Sequence, residues 1–218
     1  MEQNIDLMLV GLGNHKENYL ETRHNIGWMV ASAFVQKHKS NFIPYAPEYY
    51  LANVKFAGKK VLVLLPRTYM NNSGIPVKQA MRKFNVPVEN ILVICDEYNF
   101  PLGKIHLKEN GGDGGHNGVA SVIEQVGSKN FMRLRCGIGR NFGENELVDY
   151  VLSPFEPEEI PLRDSMITKA VDAIEYLLIK GKARAMSDVN SEKLWKIQTE
   201  LKNKKVQPSQ SDKLKQGE

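Results

Sequence analysis

Runs of consecutive apolar residues, each ending in a polar or glycine-rich turn and then followed by apolar residues at helical spacing, recur along this chain. Leu7-Met-Leu-Val10 leads through a polar loop to Ile26, Met29, Val30, Ala33 and Phe34, which predicts a strand, a loop and a helix over about 22–38 capped by Thr22. Leu51 to Phe56 and Val61 to Leu65 flank Gly58-Lys-Lys60 and read as a hairpin. The second of these strands is apolar throughout, as a strand covered on both faces should be. A polar turn then enters a helix marked by Val77, Met81 and Phe84 and capped at Ser73. Ile91 to Cys95 is a third buried strand, and Lys104 to Lys108 is a short alternating one. The latter enters the loop Gly111-Gly-Asp-Gly-Gly115-His116-Asn117-Gly118 and a helix through Val119, Val122, Ile123 and Val126. Phe131 to Gly139 alternates as a strand with Arg133 and Arg135 on one face. Leu147 to Leu152 reads as a strand or a turn of helix, and 157–180 as a helix stopped by Gly181. Strands alternating with helices place the chain in the α/β class.

At 218 residues, 42% hydrophobic and 25% charged, the chain suits one globular domain with an appendage, and its net charge of +4 permits a polyanionic partner without requiring one. Composition changes beyond Asp188, so a folded domain is expected over 1–187 and a polar extension over 188–218. The extension has one amphipathic stretch, with Leu194, Trp195, Ile197 and Leu201 near one side, and then too little apolar surface to fold alone. Cys95 and Cys136 form no C-x-x-C pair, so neither a zinc site nor a disulfide framework is indicated. With no apolar run long enough to span a bilayer, a reducing cytoplasmic setting is the default expectation.

Sites in open α/β sheets form outside the carboxyl ends of the strands. That edge collects Asn14, His24, Asn71, Asp96, His116 and Asn117. Gly11-Leu-Gly13 is not a dinucleotide fingerprint, because Lys16 stands where the third glycine is needed. A single histidine on a helix is most often a surface residue, and a carboxylate ending a strand is most often a turn residue. The competing reading is that Asp96 accepts a hydrogen bond from the His24 imidazole and fixes its tautomer. The glycine loop is expected to approach a ligand closely and aim backbone N–H groups at negative charge, and Lys108, Arg133 and Arg135 to form a cationic patch beside it. With no nucleophilic serine or cysteine at these positions, the set suits water activation by a general base, with amides holding a carbonyl, and an ester as target.

Gly11-Leu-Gly-Asn14, Thr22-Arg-His24-Asn25-Ile-Gly27, Thr68-Tyr-Met-Asn71-Asn-Ser-Gly74, Asp96-Glu97 with Pro101-Leu-Gly103, Gly114-Gly-His116-Asn117-Gly118 and Arg133-Leu-Arg135-Cys-Gly-Ile-Gly139 resemble the successive motifs of bacterial-type peptidyl-tRNA hydrolase. The similarity covers roughly residues 5 to 187. It implies a three-layer α/β/α domain with a mixed, mostly parallel sheet, working as a monomer without metal or cofactor. The implied reaction is hydrolysis of the ester joining peptide to tRNA in peptidyl-tRNA released from ribosomes, with at most transient ribosome contact and no membrane. By the same resemblance His24 is the general base, Asp96 orients it, and Asn14 positions the base or the water. Tyr19, Tyr69, Asn71, Gly114, His116 and Asn117 fall to the peptide and reaction-centre carbonyl, and Lys108, Arg133 and Arg135 to tRNA phosphate. The chain departs from the family at His15-Lys16, where Pro-Gly is usual, and at His106, where a second lysine occurs. A non-catalytic RNA-binding homologue and a small-molecule esterase remain as alternatives.

Overall fold

The computed structural model describes residues 5–196. Its elements are β1 (Leu7–Gly11), α1 (Ile26–Lys37), β2 (Ile43–Ala46), β3 (Tyr49–Phe56), β4 (Lys59–Pro66), α2 (Gly74–Lys83), β5 (Ile91–Glu97), β6 (Ile105–Glu109), α3 (Asn117–Val126), β7 (Met132–Gly137), α4 (Leu147–Val151), α5 (Ile160–Lys180) and α6 (Lys182–Asn190). The strands form one sheet in the order β2-β3-β4-β1-β5-β7-β6. Its middle, β4-β1-β5-β7, is parallel, and both flanks are antiparallel, which makes the sheet mixed as expected.

The apolar runs are continuous because both faces of the middle strands are covered. Leu7 and Leu9 of β1 pack with Ile26, Val30 and Phe34 of α1 and Ile174 of α5. Met8 and Val10, pointing the other way, pack with Val77 of α2 and Val119 and Val122 of α3. The result is the three-layer arrangement. Among the described residues, no helix is long and apolar enough to cross a membrane.

Two expected caps are not made. The helix expected from Thr22 begins as a single 3-10 turn, Arg23–Asn25, and becomes α-helical only at Ile26. The Thr22 hydroxyl donates back to the Tyr19 carbonyl at 2.8 Å instead of capping forward. Ser73 makes no cap bond, and the Gly74 N–H donates to Ser121 Oγ of α3 at 3.0 Å. A side chain at Gly74 would meet the Ser121 carbonyl oxygen at 2.1 Å, so glycine is what lets α2 and α3 approach.

The segment after Gly181, read from sequence as merely polar, is helix α6. It runs across the expected 187/188 boundary with Asp188 and Val189 buried, and Asn190 brackets the Leu107 backbone with bonds of 2.8 and 2.9 Å. Leu194 is 5% exposed within the α1–α5 core, and residues 193–196 are helical. The remainder of the expected amphipathic stretch and tail, 197–218, lies outside the described residues.

Candidate active site

β5 runs past the end of β1, since Gly11 pairs with Ile94, and this carries Asp96 to the carboxyl edge of the sheet. α1 is pressed onto that edge by Gly27, where an added Cβ would meet the Ile94 and Leu12 carbonyl oxygens at 2.4 and 2.5 Å. This close approach brings the 3-10 turn preceding α1 over β5, so that His24 reaches Asp96.

The Nδ1–H of His24 donates to Asp96 Oδ1 at 2.7 Å, and both residues are under a tenth exposed. With Nδ1 carrying the proton, Nε2 is the basic nitrogen, and it has no hydrogen-bond partner among the described residues. A second imidazole meets the same oxygen: His116 Nε2 lies 2.9 Å from Asp96 Oδ1. His116 Nδ1 accepts the N–H groups of Gly118 and Val119 at 3.0 and 3.3 Å. Because Nδ1 accepts twice, the ring proton must sit on Nε2 and point at the carboxylate.

Burial opposes charge on both His24 and Asp96, and their mutual attraction prevails. For Asp96 the adjacent imidazoles and their hydrogen bonds overcome desolvation and hold its carboxyl well below the usual carboxylate range. For His24, desolvation works against the imidazolium, but the Asp96 charge and hydrogen bond outweigh it and raise the ring above the ordinary histidine value. Cys95, beside Asp96, is pushed far up by burial and by that carboxylate, so it is a protonated, inert thiol rather than a nucleophile.

The ligand atoms of His24, Asp96 and His116 lie within 4.8 Å of one another, close enough to weigh as a metal site. The hydrogen bonds suit protons instead. A metal on His116 Nε2 would move that ring's proton to Nδ1, against two backbone N–H groups that already point there.

His24 stands where two recesses meet. One is lined by Asn14, Tyr19, Tyr69, Asn71 and Asn117. The other is lined by Lys108, Arg133, Arg135, Gly114 and the rest of the glycine loop. Val148 and Val151 of α4 border both, and Val148 is 65% exposed. Asn14 is fixed on three sides. Its N–H and carbonyl are clasped by the Asn25 amide at 2.8 and 2.9 Å, and its Oδ1 accepts the Met70 N–H at 3.0 Å. Its Nδ2 is thereby the end free to donate into the recess.

In the second recess Arg133 is 3% exposed, donates to the Gly111 carbonyl at 2.6 Å and lies over the Phe131 ring. Its Nε and Nη1 are buried without a partner. Arg135 is held through Nε and Nη2 by Glu97, whose carboxylate also accepts from Asn99. Lys108 is exposed beside Gly111. His106 is held below the ordinary histidine value by burial and by Arg135, Lys104 and Lys108, so it adds no charge at neutral pH.

All the residues expected at the site therefore converge on one cleft, with two corrections of detail. The glycine loop does not present an open helix N-terminus: Gly115 N–H is spent on Asp113, and the first N–H groups of α3 on His116. The expected contact of His116 with substrate also lacks a free ring nitrogen, since both face the protein. Sequence reasoning passed over Asn25 and Glu97. Asn25 lay inside a quoted motif, and Glu97 could have been found from the strand register, which sets Cys95 opposite Arg135. At the His15-Lys16 departure, His15 Nδ1 lies 3.4 Å from the Thr68 carbonyl and Lys16 rests on the Tyr69 ring at 4.8 Å, tying the first loop to the rim.

A family model described as peptidyl-tRNA hydrolase matches residues 8–197. A relative of that name from Syntrophotalea carbinolica is 39% identical over 184 residues, covering 84% of this chain and 96% of its own. One from Oceanobacillus iheyensis is 41% identical over 187 residues, covering 84% and 98%. Among solved structures, peptidyl-tRNA hydrolase from Acinetobacter baumannii superimposes with a TM-score of 0.80 at 31% identity, covering 86% of this chain and 97% of that one.

Proposed function

This chain belongs to the peptidyl-tRNA hydrolase family, and we propose that it hydrolyses the ester between peptide and tRNA by a His-Asp mechanism at the cleft around His24. The observation that carries the reading is the Nδ1–H bond of His24 to a buried carboxylate, at the junction of an amide-lined and a cation-lined recess.

In the reaction, His24 Nε2 takes a proton from water as the oxygen attacks the ester carbonyl, and the Asp96 charge stabilises the imidazolium that forms. The carbonyl electron pair moves to oxygen, where Asn14 Nδ2 and the Asn117 amide offer hydrogen bonds. On collapse the bond to the ribose oxygen breaks, the leaving alkoxide takes the proton from His24 to give a free tRNA hydroxyl, and the peptide carboxylic acid formed loses its remaining proton to solvent as the carboxylate. Asn71, Tyr19 and Tyr69 hold the peptide. Lys108, Arg135 and Arg133 bind phosphate, with Gly114 in the loop that bounds them. The same reading extends to a monomer in the cytoplasm, meeting ribosomes at most transiently where they release its substrate.

The test is release of a blocked amino acid from N-acetyl-aminoacyl-tRNA. His24→Ala is expected to lose about 10²- to 10⁴-fold in rate, the share of a general base. Near-wild-type turnover would remove His24 from the mechanism. Binding of tRNA should also weaken steeply with salt, as phosphate contacts require, whereas salt-independent affinity would point to a small-molecule esterase.

A further inference from the structure

The arrangement of His116 reaches beyond substrate contact. Its ring lies 4.8 Å from that of His24, its side chain is about nine-tenths buried, and its two nitrogens join the catalytic carboxylate to the first turn of α3. Neither nitrogen is available to a ligand. We infer that His116 is a positioning residue that acts through Asp96: by donating Nε2–H to the oxygen that also receives His24, it fixes that carboxylate and limits how strongly it attracts the His24 proton.

The physics is one of sharing. An oxygen accepting one N–H directs all its charge at that donor, and a second donor divides it. Asp96 buried against His24 alone would hold the imidazolium more tightly, and a base that keeps its proton at neutral pH is a poor base. The ring's tautomer is set by α3, whose N–H groups occupy Nδ1, so the helix start fixes the direction in which His116 donates. The titratable neighbours include Arg23 on the His24 turn, Cys95 and Glu97 on β5, Arg133, Arg135 and Cys136 on β7, Tyr150 on α4 and Asp113 in the glycine loop. Arg23 bonds to Glu159 and Ser153 through Nη2 and Nε, Glu97 to Arg135 and Asn99, Asp113 to the Gly115 N–H, Arg133 to the Gly111 carbonyl, and Tyr150 to the Ile138 carbonyl. Cys95 and Cys136 are buried thiols. Among the described residues, His116 is the group besides His24 that bonds to the Asp96 carboxylate.

Two substitutions separate the nitrogens. His116→Asn places an oxygen near Nδ1 and keeps the helix cap while losing the bond to Asp96, and His116→Gln carries an amide N–H to about the position of Nε2 while losing the cap. This inference rests on His24 as the base, and rates are read as kcat/KM against pH on N-acetyl-aminoacyl-tRNA. The expected result is that His116→Asn moves the acid limb upward by about 1 pH unit, the effect of removing one hydrogen bond to a charged group, and that His116→Gln restores it. An unmoved limb in His116→Asn, or a rise in KM alone, would overturn the inference and leave the hydrolase reading standing. An inactive wild type would instead remove the hydrolase reading. A measurement independent of activity and of either variant is the ¹⁵N spectrum of the wild-type imidazoles. His116 should carry its proton on Nε2 and neutral His24 on Nδ1, and the opposite tautomer at His116 would refute the proposal.

Discussion

Replacing Asp96 with asparagine removes charge from the site while sparing its shape. Asparagine can still present an oxygen where Oδ1 accepts His24 and His116 at 2.7 and 2.9 Å, so both tautomers can persist. What disappears is the attraction between imidazolium and carboxylate, about 4 kcal/mol for unit charges ~4 Å apart at an effective dielectric constant of ~20. At 1.36 kcal/mol per pH unit this is an upper figure of about 3 units, and shared donation to one oxygen brings the expectation to about 1 to 3 units. The sign follows from His24 acting in its neutral form. In the wild type its proton is held above the ordinary value, so activity falls as pH drops through a point above about 6.5. In Asp96→Asn that limb moves towards acid, while the plateau drops about 10²- to 10³-fold because the transition-state imidazolium has lost its counter-charge. The assay is kcat/KM on N-acetyl-aminoacyl-tRNA across pH for both proteins. Equal limbs and equal plateaus would refute the electrostatic role of Asp96. Stability gives a second readout. The lowered Asp96 carboxyl contributes stability fully above about pH 3.9, and this is lost as pH falls towards its folded value, a loss the asparagine variant should lack.

Two further outcomes follow from packing. Gly27→Ala sets a methyl 2.4 Å from the Ile94 oxygen and 2.5 Å from the Leu12 oxygen, both backbone, so α1 must back away. A loss of about 1 to 3 kcal/mol is expected in thermal unfolding, with activity falling further because the His24 turn moves off Asp96, and unchanged melting would show that the approach is not tight. Cutting the chain after Asn190 removes Leu194 from the core and is expected to cost about 2 to 5 kcal/mol, whereas cutting after Lys196 spares it; equal melting of the two truncations would refute that role.

The middle strands were legible because burial on two faces leaves a continuous apolar run, and the stop at Gly181 was legible because its φ of 77° favours glycine. α6 was not, because one of its buried residues is charged. Asp188 is held by Tyr176 and Arg184 at 2.7 and 2.5 Å, so a segment polar in composition still has an inward face. The caps failed for a related reason. Thr22 and Ser73 have suitable side chains, but the Thr22 hydroxyl turns back to Tyr19, while Ser73 is itself in helical conformation and makes no cap bond. The His24–Asp96 pair, 72 positions apart, was reached through strand-end reasoning and motif resemblance together. That His116 joins the same oxygen depends on how the glycine loop turns at Gly111, Gly114 and Gly115, all at positive φ, and no local pattern encodes that direction.

The two halves of the cleft treat buried charge in opposite ways, a contrast that fits the proposed division into a reacting half and a binding half. Asp96 is buried with donors from both sides, so its charge is satisfied before any ligand arrives and its geometry is preorganised for proton transfer. Arg133 is buried with Nε and Nη1 unmet, a state in which each missing bond costs about 1 to 3 kcal/mol. On the proposed reading, a shift of this side chain that let phosphate oxygens accept from those donors would recover part of that cost. The neighbouring Arg135, by contrast, has two of its guanidinium nitrogens held by Glu97. On the proposed reading, a satisfied carboxylate beside a partly unpartnered guanidinium gives a cleft with one half arranged for proton transfer and the other offering cationic donors to phosphate.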